Sequence, residues 1–114
     1  MNSESRLTTS PLTLARIVAS SVGALDGVVG LSPGRTGEVA THGPGGEVGG
    51  VRLVQTTTGL TVEVHVVAQL RPLPELARLV RQTVLAQLTA QGQRVSRVNV
   101  VIADLKTESD SPQT

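Results

Sequence analysis

The chain of 114 residues has no cysteine and no phenylalanine, tyrosine or tryptophan. Without cysteine there is no disulfide scaffold, no thiol nucleophile and no structural zinc site of the usual thiolate kind. Without aromatics there are no flat platforms on which nucleic-acid-binding surfaces stack bases. The Trp and Tyr anchors of tight protein interfaces are missing too. No run of about 18 apolar residues is present, the length a bilayer-spanning helix needs. Met1 to Ser10 lacks the basic start and apolar core of a signal peptide. The expected compartment is therefore the cytoplasm. Charge of one sign is also scarce. Ten Lys and Arg stand against nine Asp and Glu, a net +1, so bulk attraction for nucleic acid or anionic lipid is weak. The basic residues are nine arginines and one lysine, Lys106. A GC-rich coding bias explains that skew more simply than an arginine-specific role.

What is present is regular patterning. Gly59 to Leu70 alternates, with Leu60, Val62, Val64, Val66 and Ala68 on one side and Thr61, Glu63, His65 and Gln69 on the other. Successive side chains leave opposite faces of a pleated strand, so this stretch predicts a half-buried β-strand. Before it, Val51 to Gln55 reads as a second strand, joined to the first through Thr56-Thr57-Thr58-Gly59 as a hairpin. After it, Pro72 and Pro74 stop the ladder. A helix then runs from about Pro74 to Gln91, with Leu73, Leu76, Ala77, Val80, Val84 and Leu88 on one face and Gly92 at its end. Val95 to Leu105 is the last strand, with Val98, Val100 and Ile102 facing one way and Arg97, Asn99 and Val101 the other.

At the start of the chain, Ser10-Pro11 suits a helix N-terminus. Leu14, Ile17, Val18, Ser21, Val22 and Leu25 follow at helical spacing, and Gly27 is expected to end the helix. Gly27 to Leu31 is then a short apolar exit. Residues 32–50 read as one long Gly-rich loop in which 38–42 could form an edge strand. Residues 1–10 and 106–114 are expected to be disordered tails around a single domain over 11–105. The fold class expected is α+β, two layers in the order α-β-β-α-β. Two helices pack on one face of a small three-stranded mixed sheet, the final strand parallel in direction to Gly59–Leu70. The pattern does not fix the strand order.

Three segments carry a family resemblance that covers about Leu14 to Leu105. Leu25-Asp26-Gly27-Val28-Val29-Gly30-Leu31 is similar to a "pGVagL" segment. Leu60 to Val67 leads through a proline-containing loop into Pro74-Glu75-Leu76-Ala77, then Val80-Arg81-Gln82 and Val84, similar to "ip-e-a--vq--V". Val95-Ser96-Arg97-Val98-Asn99-Val100, with Asp104-Leu105, resembles a "V--VNV-V-dv" ending and is the most specific of the three. Together they resemble the alkaline shock protein 23 family of bacterial envelope-stress proteins. The chain departs from it at Leu70-Arg71, where the family often has Tyr-Gly, and at Gln91-Gly92-Gln93, where it often has Thr-Gly-Leu. The resemblance implies a non-enzymatic protein of cell-envelope homeostasis that self-associates and docks on a membrane-anchored paralogue. With no anchor of its own in the sequence, it would be peripheral to the cytoplasmic membrane through that partner. No cofactor and no small-molecule substrate are implied.

Each feature that could carry chemistry has a plainer reading beside it. Glu63 and His65 share one strand face and could act as an acid/base pair, but the polar outer face of a sheet predicts the same residues. His42 has no companion ligands fixed in sequence, and a metal site needs three or four. The glycines of residues 43–50 precede a strand and lack the Lys-Ser/Thr ending, unlike phosphate loops that open a helix. Ser20 and Ser21 lie within a helix without an elbow motif. Arg71, Arg78, Arg81, Arg94 and Arg97 give the C-terminal half a basic lean, so a nucleic-acid-binding module is the alternative function, disfavoured by the missing aromatics. The apolar surplus is more informative. Leu79 and Leu85 fall off the stripe of the second helix, and Val54, Val67 and Val101 fall on the sheet's outer face among Arg52, Glu63, His65 and Arg97. A contiguous apolar group rimmed by charges marks a self-association or partner surface, and Val67→Glu or Val101→Glu tests it.

Overall fold

The computed structural model describes residues 9–107. In chain order the elements are α1 (Pro11–Gly23), β1 (Val28–Leu31), β2 (Ala40–Gly43), β3 (Gly46–Gly49), β4 (Val51–Thr56), β5 (Gly59–Gln69), α2 (Leu73–Ala90) and β6 (Val95–Lys106). The expected tails lie outside the described residues except at their inner ends. There Ser10 caps α1 and Lys106 closes β6.

β5 is the hub of the main sheet. It runs antiparallel to β4 over Gly59 to Val64, antiparallel to β1 over Val66 to Ala68, and parallel to β6 over Leu60 to Gln69. A strand has two edges. Because β6 occupies one of them throughout, β4 and β1 share the other in succession. The sheet therefore has four strands, not the expected three, yet stays three strands wide at each level. The added strand is the segment expected as an apolar exit. It is four residues long, contains Gly30, and slips register between Val28 and Gly30, so it offers no alternation from which to infer a strand.

The edge is broken at His65. Ser32 N–H donates to the His65 carbonyl and His65 N–H donates to the Gly50 carbonyl, both at 2.9 Å. Between those two points the chain leaves the sheet and returns. The excursion is not a bare loop. β2 and β3 pair as a hairpin from Ala40↔Gly49 to Gly43↔Gly46. Pro44-Gly45 forms its tip, with Gly45 at φ 98°, the combination a type II turn requires. The hairpin lies against α1, where Gly43 approaches Leu12 and Arg16 Nη2 donates to the Gly45 carbonyl at 3.4 Å. Its cover explains why Leu12 is buried although it lies off the stripe expected for α1. Thr41 ties the hairpin to β4, its buried hydroxyl donating to the Val51 carbonyl at 2.7 Å.

α1 starts as expected, the Ser10 hydroxyl accepting from Thr13 N–H at 3.1 Å with Pro11 next in the chain. It ends at Gly23, four residues before the expected stop. Gly27 sits instead in the turn into β1, where its carbonyl accepts from Gln69 N–H at 2.9 Å. α2 buries Leu76, Val80, Val84 and Leu88. Both helices cover one face of the sheet, whose Val62, Val64, Val66 and Ala68 are fully buried in one core with Val18, Val22 and the α2 stripe. Burying an aliphatic side chain of this size contributes about 1.5–3 kcal/mol, so this wall is the main source of stability.

Candidate interaction surface

The register sets out the outer face of the sheet row by row. Val54, Thr61 and Arg97 stand side by side, then Arg52, Glu63 and Asn99, then His65 with Val101, then Gly30, Val67 and Asp104. Val54 and Val101 are exposed, while Glu63, His65 and Val67 are partly covered. The second row is charged and separates Val54 from Val101 and Val67. Glu63 is held from both sides: Oε2 lies 2.6 Å from His65 Nε2, and Oε1 lies 3.7 Å from Arg52 Nη1. Arg52 and Glu63 are directly opposed across β4 and β5, the arrangement in which opposite charges attract. The imidazole is 17% exposed and sits at the break in the strand edge. One carboxylate can orient such a ring. Among the described residues no three His, Asp or Glu side chains converge as a metal site. His42 pairs across the hairpin with Glu47 at 3.0 Å, both side chains largely exposed.

Glu38, in the excursion, has a displaced pKa. It is held below the usual range, first by the Thr36 hydroxyl at 2.7 Å, then by backbone N–H groups including that of Thr36 at 3.1 Å. The His65 side chain adds a smaller electrostatic contribution.

Leu79 and Leu85 do not belong to the outer face. They lie on opposite flanks of the α2 stripe, about 120° from one another around the helix, at 41% and 44% exposure. Leu85 lines a shallow groove with Arg81, Val95, Ser96, Arg97 and Val98, between α2 and the start of β6. Arg81 Nε donates to the Val98 carbonyl at 3.5 Å there. Arg97 thus belongs to both the outer face and the groove. The remaining arginines are dispersed, Arg71 pairing with Asp26 at 3.6 Å.

What the pattern of residues could not supply is the position of β6. Among the described residues its sole partner is β5, so its other edge is open along a strand of 12 residues. The register of β6 slips twice, near Ser96 and near Ala103. Beyond the second slip Asp104 pairs with Val67 and so joins the outer face, while Leu105 pairs with Ala68 and joins the helix side. One extra residue reverses the facing of all that follow, so plain alternation misassigns both.

No family model matches the chain, and no curated protein does. Two solved structures of point variants of the MamM CTD are similar in fold. One has a TM-score of 0.52 at 10% identity, covering 83% of this chain and 94% of that one. The other, described as a zinc form, has a TM-score of 0.50 at 10% identity, covering 88% of this chain and 89% of that one. At this identity the likeness shows a shared α+β fold. Among the described residues no helix is long and apolar enough to cross a membrane.

Proposed function

We propose that this chain is a non-enzymatic protein of cell-envelope homeostasis that acts by self-association and by docking on a membrane-anchored partner. The observation that carries the reading is the open edge of β6. A long strand edge that no other strand pairs is a template for another strand, and here it runs beside an apolar groove. The three sequence segments similar to the alkaline shock protein 23 family support the envelope assignment. The Glu63–His65 pair fits a structural role in this reading. It is braced by Arg52 on one side.

Light scattering of the full chain over a concentration series tests self-association. The expected mass exceeds the 11.8 kDa of one chain and falls toward it in Val101→Glu. A parent that stays monomeric throughout overturns the reading. Co-purification from native membranes identifies the docking partner. One observation favours the alternative of a nucleic-acid-binding module: Arg81 and Arg97 line the same groove. Binding to RNA that weakens steeply between low and moderate salt would support it.

A further inference from the structure

We infer that β6 pairs antiparallel with β6 of a second copy, about a two-fold axis at Val100, so that two sheets join into one. This rests on the self-association reading and names its geometry. In an antiparallel pair, residues directly opposed share a face. The axis must therefore pass through a residue, not between two. An axis at Val100 sets Val100 against its twin, Asn99 against Val101 of the second copy, and Val98 against Ile102 of the second copy. The next pair is decided by the register slip near Ala103. Skipping that extra residue brings Arg97 opposite Asp104 of the second copy, both on the outer face. Symmetry makes two such ion pairs. An axis at Asn99 instead sets Arg97 against Val101 of the second copy and leaves that arginine unmatched.

The same register accounts for apolar surface that the monomer leaves open. Val98, Val100 and Ile102 face the helix layer yet are only partly buried, because nothing lies beyond β6. Leu105 is 37% exposed and Leu85 44%. Continuing the pairing past Ser96, the other slipped residue, brings Leu105 of the second copy opposite Val95, which lines the groove with Leu85. Each copy thus covers the other's groove. The contact is isologous and closes on itself.

The natural chain has no cysteine, so single thiols report the geometry in the full chain. Directly opposed Cα atoms in an antiparallel pair stand about 5.5 Å or 4.5 Å apart, within the disulfide range of about 4.4–6.8 Å. Val100→Cys should therefore oxidise to a covalent dimer at least about tenfold faster than Val54→Cys on the far edge, since pairing raises the local thiol concentration. Asn99→Cys, off the axis, should lag as well. If Asn99→Cys or Val54→Cys links as fast as Val100→Cys, the register is overturned. A second measurement does not depend on the thiols. Arg97→Asp and Asp104→Arg should each weaken the dimer by roughly tenfold, and the double variant should restore it. A dimeric parent with no Val100→Cys linkage and silent charge variants refutes the β6 joint while leaving self-association standing. A monomeric parent refutes both.

Discussion

Replacing Gly50 by alanine tests the strand break most directly. Gly50 ends the excursion at φ 87°, and a Cβ built there would meet Leu31 Cβ at 2.5 Å, Leu31 Cδ2 at 3.2 Å and Ser32 N at 3.2 Å. The residue cannot swing away. Its N–H donates to the Val39 carbonyl at 2.7 Å and its carbonyl accepts from His65 N–H at 2.9 Å. Leu31 is fixed as well, by its pairing with Val66. Two costs add. Holding a non-glycine residue in the left-handed region costs about 1–2 kcal/mol, and overpacking a site that cannot relax costs about 1–3 kcal/mol. Gly37 provides the control, because its φ is 76° but nothing lies within 4 Å of its Cβ position. Gly37→Ala should show the backbone cost alone. Gly30→Ala, with no positive φ and open space around it, should be nearly neutral. Thermal unfolding separates the three, since each kcal/mol moves Tm by about 4–8 °C in a domain of this size. Gly50→Ala should therefore unfold at least about 4 °C below Gly37→Ala. Equal losses in the two variants would show that the close packing of Leu31 against the returning chain does not matter, and the account of the break would fail.

Thr41→Val keeps the shape of the side chain but removes the buried hydroxyl that donates to the Val51 carbonyl. Urea unfolding should show a loss of about 1–3 kcal/mol. Ser10→Ala removes the side-chain acceptor for Thr13 N–H. It should cost about 1 kcal/mol, and hydrogen exchange should show faster opening of the first turn of α1. Glu38 has a lowered pKa in the folded chain, so its contribution is present above its unfolded pKa and is lost as pH falls through the folded value. Glu38→Gln should lower Tm in the neutral region, converge with the parent at low pH, and so flatten the acid limb of a Tm-against-pH profile.

The elements legible in the sequence are those whose burial repeats with a regular period. β5 alternates over its length and buries every second residue, and the α2 stripe recurs at helical spacing, so both were readable. β1 was not, because it is short and its pairing slips at Val29. The β2–β3 hairpin was hidden for a different reason. It has glycine at three of its eight strand positions, Gly43, Gly46 and Gly49, and its lone buried polar residue is Thr41. Its order comes from docking on α1, a tertiary contact that local composition does not reveal. The candidate surface divides in the same way. Arg97 and Val101 were placed correctly by alternation. Leu105, Asp104 and the open edge depend on strand order and on the slip near Ala103, which no local pattern encodes.

The broken strand edge has a consequence for the size of any assembly. A sheet with two intact edges has a valence of two, and head-to-tail addition can continue without limit. Here one margin is cut at His65, kinked at Val29 and diverted into a hairpin, so it offers no continuous template. The opposite margin offers only the short pieces β1 and β4, of four and six residues, against twelve along β6. Pairing of β6 with β6 uses up the long edge, and the growth that turns exposed strands into fibres is left with only those short pieces from which to proceed.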